Sequence, residues 1–122
     1  MTLSREDDVA LARDVLGWTD IRRDRVGVPP GPRRTPFVLE PLPQYATAPT
    51  GNSMLALIEG MAVKGYSFWF GSWSEGGYNA AFWAPKAADS DIGVHVQFAN
   101  IEALPAAVAE AALRATGNWR EG

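Results

Sequence analysis

Apolar side chains recur every three or four residues in three parts of the chain, the spacing at which they share one face of a helix. The first helix begins after Ser4, a suitable N-cap, and ends at Gly17, a suitable stop. The last carries Pro105 in its first turn and is rich in alanine, the strongest helix former. The predicted helices cover residues 5–16, 53–64 and 104–115.

Between the second and third helices the period of the apolar positions changes to two, which predicts strands. Residues 74–77, Ser-Glu-Gly-Gly, are typical of a turn between two paired strands. Because the connections between the strands are short, the strands are expected to pair as an antiparallel meander. The predicted strands cover residues 66–73, 78–84 and 92–99.

Both faces of this sheet are predicted to be apolar. On the first strand, Phe68 and Phe70 take one face, while Trp69 and Trp73 take the other. A sheet with one wet face would alternate apolar and polar residues, so we expect cover on both faces. The predicted fold is α+β, a three-layer α/β/α sandwich around a three-stranded antiparallel meander, in the order α-loop-α-β-β-β-α. The alternative is that one aromatic face stays open as a binding surface.

The segment 19–50 differs from the rest, because seven of the nine prolines lie in it. Proline is incompatible with helix interiors, so the segment is predicted to be a long connection with one short extended piece at 37–40. Its apolar residues, including Leu42 and Tyr45, are expected to pack on the domain. A length of 122 residues fits one domain, 1–122, that contains this connection. Such long connections are often functional.

The composition is that of an ordinary globular chain, with 47% hydrophobic residues, 20% charged residues, a net charge of −3 and no cysteine. The lack of cysteine excludes disulfides and thiolate metal sites. No apolar run approaches the roughly 20 residues of a membrane-spanning helix, and the acidic N-terminus is unlike a signal peptide. Negative charge argues against non-specific nucleic-acid binding. We therefore expect a cytoplasmic protein that binds neither membranes nor nucleic acids.

Three segments resemble the phage ABA sandwich domain, a family of small phage and prophage proteins with no established activity. They are the first helix with its terminal Gly17-Trp18, the Tyr45-Ala46-Thr47 approach to the second helix, and the closing helix 104–115. The chain departs from the family at Ala103 and Ala106, where a capping Ser or Thr and a Glu are usual, and in an inserted Pro49-Thr50-Gly51. The resemblance implies the layered fold and a phage origin, hence the cytoplasm of a host cell. It assigns no catalytic residue or cofactor.

The chain carries no recognisable catalytic, cofactor or metal motif. His95, the only histidine, lies mid-strand without a partner set and is predicted to be structural. Residues 71–77 fit neither a nucleophile elbow nor a phosphate loop. Asp89 and Asp91 are too few for a calcium site, which needs about six oxygen ligands. Three acidic residues are expected on the surface of the first helix: Asp7, Asp8 and Asp14.

Two groups of residues are candidates for a partner or ligand surface. The aromatic residues of the sheet are interpreted first as core and second as interface anchors, with Trp73 the least buried. The arginines of the connection form either a solvated loop or an arm that binds carboxylates or phosphates. The candidates are Arg22, Arg23, Arg25, Arg33 and Arg34, and Trp69, Trp73, Tyr78 and Trp83.

These features favour a non-enzymatic, phage-type binding protein that acts by protein–protein contact. The expected partner is a host protein, such as a defence protein that it inhibits, or a second copy of the chain. The alternative is a protein that binds or sequesters a small anionic ligand of nucleotide type, by tryptophan stacking and arginine contacts. An enzyme is the third and least favoured hypothesis.

Overall fold

The computed structural model describes residues 3–30, 39–73, 75–84 and 93–119. A 3-10 turn at Ile101–Ala103 leads directly into the last helix. The helices and strands are α1 (Arg5–Asp14), β1 (Val26–Gly27), β2 (Glu40–Pro41), α2 (Gly51–Val63), β3 (Ser67–Ser72), β4 (Tyr78–Trp83), β5 (Gly93–Phe98) and α3 (Leu104–Ala115). The mixed α+β class is therefore confirmed.

The main sheet is an antiparallel meander in the order β3-β4-β5, as predicted. At the turn between β3 and β4, the backbone N–H of Trp73 donates to the Gly77 carbonyl (3.1 Å), and that of Gly76 donates to the Trp73 carbonyl (3.0 Å). Gly76 and Gly77 both have positive φ, a conformation that costs other residues free energy. In the connection, β1 and β2 form a separate two-residue ladder. Glu40 of β2 ends the predicted extended piece 37–40, of which residues 37 and 38 lie outside the described residues, and the pairing with β1 was not predicted.

The second helix begins two residues earlier than predicted, because Thr50 caps it. The Thr50 hydroxyl accepts a hydrogen bond from the Ser53 backbone N–H (3.1 Å), and the Ser53 hydroxyl accepts one from the Thr50 N–H (2.8 Å). This reciprocal pair satisfies two backbone donors at the helix start. α3 has the predicted bounds, and α1 ends two residues before its predicted end.

The core lies between one face of the sheet and the helices. α2 and α3 pack on this face, and α1 packs on α3. Phe82 of β4 is buried against Leu57 and Met61 of α2 and Val108 and Leu113 of α3 in one cluster. The small alanines of α3 let that helix lie close to the strands. Each large apolar side chain buried here contributes about 1.5–3 kcal/mol to stability.

The predicted cover of helices on both faces is not confirmed. Phe68 and Val96 share the face that packs on the helices, whereas Trp69 and His95 are exposed on the opposite face. The described helices α2 and α3 both pack on the first face, so a helical layer on the opposite face stays a prediction. We name the opposite face the outer face; its residues are Ser67, Trp69, Gly71, Asn79, Ala81, Trp83, Gly93, His95 and Gln97.

A buried carboxylate holds the connection to the start of α1. Asp8 is fully buried, and its Oδ1 accepts hydrogen bonds from the backbone N–H groups of Ala46 (2.6 Å) and Thr47 (3.0 Å). Its Oδ2 accepts from the Thr47 hydroxyl (2.7 Å) and the Arg5 guanidinium (2.7 Å). As predicted, Leu42 and Tyr45 of this connection are buried.

The prediction that the acidic residues of α1 lie on its surface is wrong for two of the three. Asp7 is buried as well as Asp8, and it accepts a hydrogen bond from the Ser4 backbone N–H (2.7 Å). The connection covers this end of the helix, which helical periodicity cannot show. Asp14 stays partly exposed, and its hydrogen bonds from Arg13 lower the pKa of its carboxyl.

We expect Asp8→Ala to lower the free energy of unfolding by about 3 kcal/mol, since it removes the carboxylate partner of Arg5 and leaves the backbone N–H groups of Ala46 and Thr47 without their acceptor. Urea unfolding followed by circular dichroism measures this loss. Asp14→Ala is the matched control, because it removes a partly exposed ion pair and should cost less than about 1 kcal/mol. Equal losses in the two variants would contradict the role given to Asp8.

Candidate functional site

The outer face contains an open cleft of about 430 Å³. Trp69 and Trp83 border the cleft together with His95, and Ser67 and Phe68 are the other described residues that line it. The lining is mostly apolar, and the volume is within the range of about 300–1,000 Å³ that small-molecule sites occupy. The cleft therefore brings together two of the predicted candidate tryptophans and the only histidine.

Glycines hold both indole rings flat on the sheet. A Cβ placed on Gly71 would overlap the six-membered ring of Trp69, two residues earlier on the same strand. A Cβ placed on Gly93 would overlap the ring of Trp83, its cross-strand partner. Each ring thus covers backbone that has no side chain of its own, a known way of stabilising glycine in strands. Trp69 nevertheless remains 51% exposed.

Asn79 and Trp83 position His95. The Asn79 side-chain amide nitrogen lies 3.0 Å from His95 Nδ1, and the indole of Trp83 meets the imidazole edge to face at 4.7 Å between centroids. Only the amide nitrogen can donate in this pair, so Nδ1 accepts and the neutral ring carries its proton on Nε2. His95 is exposed, and its other ring nitrogen is a hydrogen-bond donor at the cleft.

Asn79 also presents a buried acceptor without a partner. Its side chain is only 4% exposed, and its Oδ1 accepts no hydrogen bond from the described part of the chain. Such a group costs about 1–3 kcal/mol relative to a satisfied one. The outer face therefore places an unused acceptor beside the histidine donor, a combination that favours recognition rather than stability.

None of the residues of the outer face is an Asp, Glu, Lys or Arg. Asn79, Gln97 and Ser67 supply neutral polar groups around the aromatic rings. Depletion of charge around aromatic anchors is typical of the centre of protein–protein interfaces. The surface suits a neutral partner better than an anion.

The structure separates the other aromatic candidates. Trp73 is as exposed as Trp69, at 51%, and lies against Gly77 at the turn. Tyr78 points to the opposite side of the sheet, where its ring stacks with Phe70 (6.0 Å) and Phe98 (5.5 Å). Tyr78 is therefore not part of the outer face.

The arginine candidates do not join the tryptophans. Arg22 and Arg23 are exposed, while Arg25 forms an ion pair with Glu6 of α1 at 2.7 Å. Since α1 packs on α3, this pair lies on the helical side of the molecule, away from the outer face. Arg33 and Arg34 lie outside the described residues. The described geometry therefore lends no support to a nucleotide site built from both groups.

Sequence reasoning missed the position of His95 at the cleft. Alternation alone places His95 and Gln97 on the same face, and the register then adds Asn79 and Trp83. His95 was missed because a helix was expected to cover this face.

Asp89 and Asp91 lie outside the described residues. Among the residues that the structure does describe, no three Asp, Glu or His side chains cluster as a metal site. None of the helices in the described ranges is long and apolar enough to cross a membrane.

We expect Asn79→Val to raise the free energy of unfolding by about 1 kcal/mol, because it removes the unpartnered Oδ1 and adds a strand-forming side chain. Gln97→Val, on the same face but exposed, is the matched control and should change stability by less than about 0.5 kcal/mol. Urea unfolding of both variants tests this. A loss of stability in Asn79→Val would show that the lost hydrogen bond to His95 outweighs the unpartnered Oδ1, and would contradict the cost given to that atom.

Comparisons with known proteins return no match: no protein-family model, no curated protein and no solved structure is significantly similar to this chain. The resemblance to phage ABA sandwich domains therefore stays a prediction. Any function has to be inferred from the geometry of the outer face.

Proposed function

We propose that the chain is a non-enzymatic binding protein whose outer face docks onto a protein partner. The observation that carries this proposal is the exposed indole of Trp69 beside the partly exposed indole of Trp83, both lying flat over glycine on a sheet face without Asp, Glu, Lys or Arg. Tryptophan is the residue most enriched among interface hot spots, where it supplies a large apolar area and loses little side-chain entropy.

The polar groups of the face support a directional contact. His95 offers a donor at Nε2, and the neighbouring Asn79 Oδ1 is an acceptor without a donor among the described residues. A partner with an apolar anchor and an adjacent amide or hydroxyl fits this pattern. A highly charged partner does not.

The biological setting belongs to the same proposal. The helix ends and the Tyr45-Ala46-Thr47 segment resemble small phage proteins, which supports a phage-type protein that contacts a host protein in the host cytoplasm. Inhibition of a host defence protein is one such action. The contacts of Asp8 with Ala46 and Thr47 give this segment a structural role, so the resemblance there bears on the fold and not on the partner.

A second candidate function is the binding of a small neutral ligand. The cleft of about 430 Å³ between the two indoles supports it, because planar or sugar-like molecules stack on such rings. The anionic, nucleotide-type ligand expected from sequence is less favoured, since no described cation borders the cleft.

The test is capture from host lysate with the wild type and variants. Trp69→Ala and His95→Ala should each weaken retention of one stoichiometric protein by about 30-fold or more, as expected for hot-spot losses of at least 2 kcal/mol. The single variants Arg22→Ala and Arg23→Ala are matched controls, because both side chains are exposed and neither residue belongs to the outer face. These controls should retain the partner at the wild-type level.

Two results would overturn the protein-partner proposal. Retention that depends on Arg22 and Arg23 but not on Trp69 would move the interface to the connection. If no protein is retained, and neutral planar compounds or sugars raise the melting temperature of the wild type but not of Trp69→Ala, the small-ligand function replaces it.

A further inference from the structure

The strand β3 is a free edge of the sheet. In the described part of the chain, β3 pairs with β4 on one side and with no strand on the other. Its six residues, Ser67–Ser72, include no charge and no proline, and their pairing with β4 is regular without a bulge. Natural proteins usually protect an exposed edge strand with charged side chains, proline or a β-bulge. Their absence points to a strand that is covered in the working protein.

The hydrogen bonds at the turn show which groups of β3 are free. Trp73 directs both its N–H and its carbonyl toward the turn and β4. Because these directions alternate along an antiparallel strand, Ser67, Trp69 and Gly71 also face β4. Phe68, Phe70 and Ser72 therefore direct their backbone N–H and carbonyl groups outward. Tyr66 obeys the same alternation, since its N–H donates to Met61 at the end of α2 (3.0 Å) and not to β4.

We propose that two copies of this chain pair through β3, antiparallel and related by a two-fold axis at Phe70. In this register each Phe70 faces the Phe70 of the second copy, and Phe68 faces Ser72. These are the positions with free backbone groups, so each such pair exchanges two hydrogen bonds. The two three-stranded sheets become one sheet of six strands.

The side chains of β3 are self-complementary in this register. Apart from the central Phe70, each pair sets an aromatic residue against a small one: Trp69 against Gly71, Phe68 against Ser72, and Trp73 against Ser67. A shift by two residues in one direction would bring in Tyr66, whose N–H is already bonded to α2. The side chains of β3 therefore complement those of β3 in a second copy. An unrelated peptide would not in general have this complementarity.

Exposed apolar groups beside this edge support the same partner. Phe70 is 39% exposed although its ring already stacks with Tyr78 and Phe98. α2, the helix that packs on β3, leaves Leu55 and Val63 exposed, the latter to 89%. A second copy at the edge would extend the row of stacked rings and bring the two α2 helices near one another. Burial of these groups provides the free energy that edge hydrogen bonds alone do not.

The first experiment is sedimentation of the full chain at about 100 µM, where a dimer with a Kd of about 1 µM is almost fully formed. The expected mass is twice 13.2 kDa. Ser72→Pro removes an outward N–H without touching the bonds to β4, so it should give a folded monomer. Ser72→Ala keeps that N–H and should remain dimeric. Far-UV circular dichroism checks the fold of both variants.

A second experiment tests the register without relying on proline. The chain has no cysteine, so single variants carry the only thiol. An equimolar mixture of Ser67→Cys and Trp73→Cys should form a disulfide-linked dimer under mild oxidation, because these positions face each other. Neither variant should cross-link alone, since Ser67 of one copy lies about 20 Å along the strands from Ser67 of the other.

A monomeric wild type at this concentration would overturn the proposal. A dimer that survives Ser72→Pro and gives no mixed disulfide would assign the association to another surface and overturn it equally. Ser72→Pro leaves Trp83, His95 and Asn79 in place, so partner capture by this variant is independent of the dimer. Failure of the dimer and failure of the proposed function are therefore distinguishable.

Discussion

The packing of α2 and α3 on the same face of the sheet is the contact on which the rest of the structure depends. It concentrates Phe82, Leu57 and Leu113 in one core on that face. The outer face is stabilised by contacts between side chains and backbone of the sheet itself. There Trp69 lies over the backbone of Gly71, and Trp83 contacts Gly93 and His95, while the described helices pack on the other face. Contact between this apolar surface and water is unfavourable in free energy. Binding of a partner would remove the surface from water, which is the physical basis for a binding role.

The two proposals use different parts of this uncovered surface. The outer face offers rings and neutral polar atoms, which suit side-chain recognition of another protein. The β3 edge offers backbone groups, which suit continuation of the sheet. Pairing through the edge would place two outer faces side by side on one surface, so that a partner with two-fold symmetry could contact both. Each copy keeps its own Trp69, Trp83 and His95.

The parts of the fold that local patterns specify could be predicted from sequence. The meander follows from period-two spacing and the Gly76-Gly77 turn, and α3 follows from its alanines and Pro105. The number of layers could not be predicted, because Trp69 and Trp83 have the same apolar character whether a helix or a glycine lies against them. Burial of Asp7 and Asp8 was missed for a related reason. The groups that hold Asp8 lie 38 and 39 positions away, beyond the reach of helical periodicity.

Only part of the candidate site could be predicted from sequence, because some of its residues are brought together by the pairing of the strands. Trp69 and Trp83 were candidates by residue type, and the structure places both at the cleft. His95 and Asn79 gain their significance only from the cross-strand register, which fixes their contact. The arginines were grouped by their closeness in sequence, yet Arg25 is engaged by Glu6 on the helical side.

The carboxylate of Asp8 has a consequence for how the molecule opens. Because one side chain holds Arg5 and the backbone of Ala46 and Thr47 together, the first turn of α1 and the end of the connection form a single cooperative unit. The amide protons at 46 and 47 can exchange with solvent only when that turn of the helix also gives way. A segment with the composition of a loop is in this way as protected as the helix that holds it.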